Sequence, residues 1–307
     1  MAKVLVTGGA GFIASHITDQ LVIAGYEVVV IDNLSSGRLE NVHRLAKIYC
    51  EDICSPVVES IFKTEEPLYV IHHAAQTNVT ASLKDPIYDA KVNIIGSINI
   101  FENCVKYSVQ KVVYASSAAV YGEPLYLGLD EEHPVAPRSF YGLSKYSCEQ
   151  YLASYAGLYG LNYAVLRYAN VYGPRQRDDG EGGVVSIFTG NLLNKRVLPI
   201  YGSGEQTRDF VYVKDVVEAN IKALASQENL VVNIGSGRAI TVNHLYHKLA
   251  KLMDIQTQPI YAQARPGDIL HSYFDISRAE RCLGWKPATG LEYGLEATIQ
   301  SQKSGGS

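Results

Sequence analysis

Six short runs rich in apolar and β-branched residues recur through the first part of the chain, and stretches with helical spacing separate them. The runs are "KVLVTGG", "YEVVVID", "KIYCEDI", "LYVIHHAA", "KVVYASS" and "NYAVLRYAN"; between them lie segments such as "ASHITDQLVIAG" and "YGLSKYSCEQYLASYAGLYG". Strands separated by helices cannot pair as tight hairpins. Each connection has to cross over, so neighbouring strands run parallel and the crossovers are right-handed. The alternation predicts an α/β fold, a Rossmann-type doubly wound parallel sheet reaching to about residue 175. Ligands of such sheets sit beyond the carboxyl ends of the strands, so strand-end residues are where chemistry is sought.

After "NVYGPRQRDDGEGG" the alternation fades, and the glycines and charges of residues 173–183 predict a loop that opens a second region. A helix ("VVSIFTGNLLNK"), short strands ("VLPIYG", "RDFVYV", "LVVNIG") and another helix ("TVNHLYHKLAKLM") follow. Regular βαβ units are too few there for a second wound sheet. The expectation is a smaller mixed α/β C-terminal substrate domain over 176–307, with some segments returning to the first domain at 1–175.

Composition narrows the class of partner. With 307 residues, 47% hydrophobic and 19% charged, the chain has the make-up of a soluble globular protein. A net charge of −4 provides no basic field for nucleic acid. The five cysteines form no C-x-x-C pairs, so reduced thiols and no metal site are expected. "MAKVLVTGG" shows no apolar leader core, and no apolar run approaches about 18 residues, so a cytoplasmic protein without membrane attachment is expected.

The first strand runs into "TGGAGFIASH", which places Gly8, Gly11 and Ala14 at three-residue steps before a helix. Glycines there permit a tight turn and let backbone approach a pyrophosphate, whose charge meets the N–H groups at the helix start. Asp32 ends the second run about 20 residues on, as suits a ribose diol. An acid at that point repels a 2′-phosphate, which favours NAD, while Arg38 nearby leaves NADP open. Asp52 closes the third run and is either an adenine-edge contact or a solvated loop acid.

In "YASSAAVYG" two serines end a strand with no acid or base beside them in the chain. Tyr141 and Lys145 in "YGLSK" stand four apart, on one helix face, and this helix follows the serine strand. Tyr107 and Lys111 repeat the spacing in "YSVQK" and are read as a solvated pair ending a helix. For Tyr141 to act as a base near neutral pH its pKa has to fall from about 10 towards ~7, a preference of about 4 kcal/mol for phenolate. One positive charge at ~4 Å supplies about that much at a partly screened site. Lys145 and a cationic nicotinamide ring are the expected source. Ser117 then serves as a neutral hydrogen-bonding partner of the same substrate oxygen.

The ordered set "TGGAGFIAS", "DNLSSG", "HHAAQ", "SSAAVYG", "YGLSK", "RYANVYGPRQ", "RDFVYV" and "RPGD" resembles the extended short-chain dehydrogenase/reductases, and among them most closely the UDP-hexose 4-epimerases. The resemblance runs from about residue 3 to residue 290. It implies a retained NAD, a hydride that leaves the sugar C4 and returns to its other face, and Ser117, Tyr141 and Lys145 as the catalytic set. It places Gly8, Gly11, Phe12, Ile13, Asp32, Asn33, Ser36, Gly37, Asp52, Ile53, Ala74, Ala75, Gln76, Asn93, Tyr141, Lys145 and Tyr168 at the cofactor. It implies a UDP-sugar held by Lys84, Ser117, Tyr141, Asn170, Val184, Val185, Pro199, Tyr201, Arg208, Arg265, Asp268 and Ser272, and a homodimer packed through segments at 93–107 and 141–159. Two positions depart from the family pattern: Ala14 stands for the third glycine, and Ala119 for a frequent threonine.

Ser272 resembles the position where a large tyrosine excludes N-acetylated sugars, so both UDP-glucose/UDP-galactose and their N-acetyl counterparts are expected to fit. Ala118 and Ala119 occupy the places where related 4,6-dehydratases carry Asp-Glu, and the Glu typical of UDP-glucuronate decarboxylases is also absent. Arg177 leaves a UDP-glucuronate 4-epimerase open, against which Asn170 speaks. A non-catalytic NAD-binding regulator is expected to lack Tyr141 or Lys145, and the chain has both.

Overall fold

The computed structural model describes residues 1–177, 183–196, 199–264 and 269–305. In chain order the strands are β1 (Lys3–Thr7), β2 (Glu27–Ile31), β3 (Lys47–Tyr49), β4 (Tyr69–His72), β5 (Lys111–Ser117), β6 (Asn162–Tyr168), β7 (Asn170–Tyr172), β8 (Pro199–Tyr201), β9 (Thr207–Arg208), β10 (Phe210–Tyr212), β11 (Leu230–Ile234), β12 (Ile240–Thr241) and β13 (Ile260–Ala262). The helices are α1 (Phe12–Ile23), α2 (Val57–Glu65), α3 (Val79–Lys84), α4 (Pro86–Ala90), α5 (Gly96–Lys106), α6 (Phe140–Tyr159), α7 (Val184–Leu193), α8 (Val213–Ala225), α9 (Val242–Leu252), α10 (Ser277–Leu283) and α11 (Leu291–Gly305).

Seven strands form the central sheet in the order β11-β6-β5-β4-β1-β2-β3. The pairs β1–β2, β1–β4, β2–β3 and β4–β5 are parallel, with Thr7 opposite both Ile31 and His72. Val4, Leu5 and Val6 of β1 are all fully buried, as expected of strands covered by helices on both faces. The order reverses at β1, between β2 and β4, and opens the crevice in which doubly wound sheets bind ligands. The six strands expected from the alternation are all present. The run "LVVNIG", read as part of the second region, instead contributes β11 to this same sheet. Packing against β6 decides its membership, and nothing local to residues 230–234 records that.

Two compact units emerge. The first comprises Met1–Gly122, Val135–Arg167 and Val217–Val232; the second comprises Glu123–Pro134, Tyr168–Val216 and Asn233–Ser307. The chain thus passes between units several times, and Val217–Val232 belong to the first unit. Tyr107 and Lys111 do not share a helix: Tyr107 ends α5, while Lys111 begins β5 and is buried, its Nζ donating to the carbonyls of Ser226 at 2.6 Å and Glu228 at 2.9 Å. Burial pushes the Lys111 pKa down to about 8.

Among its described residues the second unit holds three small strand pairs: β7 with β10 and β8 with β13, both parallel, and β9 with β12, antiparallel. The carboxylate of the buried Asp209 organises its loops. It accepts from the Ser236 N–H at 2.6 Å, the Ser236 hydroxyl at 2.7 Å, the Gly237 N–H at 3.1 Å and the Phe274 N–H at 3.2 Å.

Candidate active site

The turn between β1 and α1 has the shape of a dinucleotide cradle. Gly8 has φ +72°, and a Cβ on it would lie 2.8 Å from the Ala74 nitrogen, so the loop presses against the segment leaving β4. Gly11 caps α1 without a side-chain hydrogen bond, which leaves first-turn N–H groups available to an anion. Asp32, almost fully buried at the end of β2, accepts from the Ala10 N–H at 2.9 Å and the Leu34 N–H at 2.8 Å. It therefore braces the glycine loop and keeps lone pairs for a diol. Phe12 and Ile13 begin α1, Gly37 packs against Ala10 and Asp32, and Ser36 is exposed. A dinucleotide such as NAD fits these residues.

Asp52 is not a free loop acid. Burial opposes its charge, but the Cys54 N–H at 2.8 Å and the Asn33 amide at 2.9 Å hold its carboxyl below the usual range. The neighbouring Ile53 is buried. The turn Ala74–Gln76 is likewise fixed from within. Thr7 Oγ1 accepts from the Ala74 N–H at 3.1 Å, and Asn93 bonds both backbone groups of Gln76, at 2.8 and 2.9 Å. The Asn93 amide also reaches Asp89 at 3.2 Å and Ser144 at 3.0 Å, so its polar atoms are occupied within the protein. Asn93, expected at the cofactor, thus holds the turn that faces the glycine loop.

Ser117 ends β5 and caps the short turn Ala118–Val120, accepting from the Ala119 N–H at 3.2 Å. Helix α6 starts where Ser139 Oγ accepts from the Gly142 N–H at 3.0 Å and ends at Gly160, whose φ is +70°. On its inner face lies Tyr141, half-buried and near enough to Ser117 for that hydroxyl to lower the phenol's pKa. The Tyr141 N–H is held by the buried Ser82 hydroxyl at 3.1 Å. One turn on, the buried Lys145 donates to the Ala115 carbonyl at 2.9 Å and lies 6.0 Å from the centre of the Tyr141 ring. The expected trio is therefore gathered at one strand end.

Its electrostatics differ from the expectation in one respect. Burial pushes the Tyr141 phenol above its ordinary value; the Ser117 hydrogen bond pulls it down and Asp89 pushes it up. Burial depresses the Lys145 pKa to about 8, so its amine is still largely protonated near neutral pH. Burial also keeps His72 well below its ordinary value and His73 at about 3, so both rings are neutral. Thr7 Oγ1 receives two backbone N–H groups and so donates to His72 Nδ1 at 2.6 Å.

Several residues of this region are not among the site residues expected from the sequence. Ser82, His72 and Asp89 are examples, and so is Glu149, whose carboxylate accepts the Ser116 hydroxyl at 2.5 Å. An acid thus stands beside the serine pair after all. It belongs to the helix two turns beyond Tyr141, and the steps 141, 145, 149 are the signal that marks it.

The second unit carries most of the expected sugar-nucleotide residues. Asn170 is exposed at the start of β7, its N–H on the Asp209 carbonyl at 2.9 Å. Val184 and Val185 open α7, and Pro199 and Tyr201 lie on β8 with Tyr201 37% exposed. Arg208 lies on β9, and the Ser272 N–H bonds the adjacent Thr207 carbonyl at 3.2 Å, which brings Arg208 and Ser272 together. Tyr168 is buried at the end of β6, and Lys84 is exposed at the end of α3. Arg265 and Asp268 lie outside the described residues. Among the described residues no cluster of His, Cys, Asp or Glu gathers as a metal site would require, and no helix is long and apolar enough to cross a membrane.

Comparison with known proteins agrees with this geometry. The chain is 45% identical over 302 residues, 98% of each sequence, to a Methanocaldococcus jannaschii protein with the provisional name UDP-glucose 4-epimerase. The UDP-glucose 4-epimerase of Thermotoga maritima, solved with UDP-glucose, superposes with a TM-score of 0.98 at 45% identity, covering 99% of this chain and 100% of that one. The UDP-N-acetylglucosamine 4-epimerase of Methanobrevibacter ruminantium, in complex with UDP-N-acetylmuramic acid, gives a TM-score of 0.95 at 39% identity over 99% of both chains. The pattern of one family matches residues 4–235, from the first strand through the serine end and the tyrosine helix to β11, and by that match this chain belongs to the NAD dependent epimerase/dehydratase family.

Proposed function

We propose that this protein interconverts the C4 epimers of a UDP-hexose, UDP-glucose and UDP-galactose first and their N-acetyl counterparts as well. The observation that carries the reading is Tyr141 beside Ser117, with Lys145 one turn on and 6.0 Å from the tyrosine ring centre, and alanines, not acids, at 118 and 119. When bound, NAD supplies the hydride acceptor and donor for C4 and a cationic ring. Tyr141 takes the proton of the C4 hydroxyl and later returns it. Ser117 hydrogen-bonds the same oxygen, and Lys145, protonated below its pKa of about 8, stabilises the phenolate. With no acid in the turn after Ser117 to expel water, the 4-keto sugar can only be reduced again. Gly8, Gly11 and Asp32 hold the cofactor. Asn170, Val184, Val185, Pro199, Tyr201, Arg208 and Ser272, with Arg265 and Asp268, hold the UDP-sugar, most of them within the substrate domain expected over 176–307.

The same reading places the protein in the cytoplasm as a homodimer. Leu143, Tyr151, Leu158 and Tyr159 of α6 are exposed apolar side chains, which supports association through this helix. Light scattering in solution tests it.

Incubation with UDP-galactose, UDP-GalNAc and UDP-glucuronate in separate reactions, with the C4 epimers resolved, tests the activity. Exchange of the first two that disappears in Tyr141→Phe supports the proposal. Exchange confined to UDP-glucuronate would replace it.

A further inference from the structure

We propose that Glu149 is a positioning residue for Ser117: it ties the carboxyl end of β5 to the helix face that bears Tyr141 and Lys145. The proposal rests on the epimerase reading above. Glu149 follows Tyr141 and Lys145 at four-residue steps along α6, so the three share one stripe. Its side chain is 2% exposed and takes three donors: the Ser116 hydroxyl at 2.5 Å, Arg167 Nε at 3.0 Å and Arg167 Nη2 at 2.6 Å. The third nitrogen of Arg167 donates to the Tyr121 hydroxyl at 2.9 Å, and the guanidinium lies 4.9 Å from the centre of the Tyr121 ring. The network therefore grips the chain on both sides of Ser117, at Ser116 before it and at Tyr121 after the short turn.

A buried ion pair loses its hydration, and well-packed apolar residues often match or exceed its stability. Stability alone is thus a weak reason for a carboxylate here. Directional bonds from α6 to β5, β6 and the turn leave Ser117 little freedom against Tyr141, which apolar packing secures less strictly. Asp89 from α4 and Glu149 favour the charged form of Lys145 against the burial that depresses it; burial raises the Cys148 thiol, Tyr114 of β5 lies 5.0 Å away, and His72 and His73 are neutral.

Ser116→Ala removes the link and leaves the Glu149–Arg167 pair intact. The expected result is a kcat for UDP-hexose interconversion roughly tenfold lower, with KM within about twofold and the melting temperature nearly unchanged. Glu149→Gln is expected to move the NMR titration of the Lys145 Nζ to lower pH. A Ser116→Ala protein with wild-type kcat overturns the proposal, as does an unshifted Lys145 titration in Glu149→Gln. If Glu149→Gln fails to fold, Ser116→Ala decides alone. Wild-type protein that exchanges nothing at C4 overturns the epimerase reading and this proposal with it, a result distinct from an active wild type matched by Ser116→Ala.

Discussion

Gly142 and Ala119 approach so closely that a Cβ on Gly142 would stand 2.4 Å from the Ala119 carbonyl oxygen. The first turn of α6 therefore rests on the backbone of the turn after Ser117, which sets Tyr141 beside that serine. Gly142→Ala has to open this contact. We expect it to lower kcat by roughly ten- to a hundredfold, because displacements near 1 Å matter at this scale, and to cost about 1–3 kcal/mol of stability. Steady-state rates and thermal melts of the purified variant check both.

At Gly8 the left-handed backbone and the 2.8 Å approach of Ala74 act together. Gly8→Ala is expected to displace the loop and weaken dinucleotide retention at least tenfold, with a loss of roughly 1–2 kcal/mol from strain. Nucleotide released from denatured protein, quantified by chromatography, is the readout. Retention equal to wild type would contradict the cradle assignment.

Under the proposed function, Ser272 is the position expected to govern sugar choice. Ser272→Tyr is expected to abolish most turnover of UDP-GalNAc while leaving UDP-galactose within a few-fold, since added bulk penalises only the larger 2-substituent. Comparison of kcat/KM for the two sugars checks it.

Acid stability has an identifiable contributor far from the chemistry. Burial opposes the charge of Glu65, but Lys3 at 2.8 Å, Lys47 at 2.5 Å and the Tyr49 hydroxyl at 2.5 Å bring its pKa from 4.5 to about 2. The unfolded chain then binds more protons than the folded one between these values. The stabilisation is complete above pH 4.5 and is lost as pH falls towards 2. We expect Glu65→Gln to lower stability at pH 7 by on the order of 1–2 kcal/mol, after allowance for the exposed Lys47, and to flatten the acid slope. Urea melts at a series of pH values measure this.

Much of the fold was legible because its signals are local. Six strands, the glycine turn, Asp32 at a strand end and the Tyr141–Lys145 stripe depend only on periods of two and 3.6 residues and on short spacings, all present in the chain itself. The alanines after Ser117 were equally readable. What remained out of reach depends on which distant segments the crossovers bring together. Lys111 looked like a solvated partner of Tyr107, yet its amine lies on carbonyls more than 100 residues away in sequence. "LVVNIG" looked like part of a second domain, yet it extends the first sheet.

The sequence by itself determined the class of fold, and it pointed to the glycine turn for a dinucleotide and to Ser117, Tyr141 and Lys145 as the expected reacting trio. Only the tertiary structure decided what holds that trio in place: Ser82 on the Tyr141 backbone, Asn93 on the Gln76 turn, Glu149 between Ser116 and Arg167. The physical reason is that a buried polar group requires a partner, but its chemistry specifies only the kind of partner. Which residue fills the role is settled when the whole core packs.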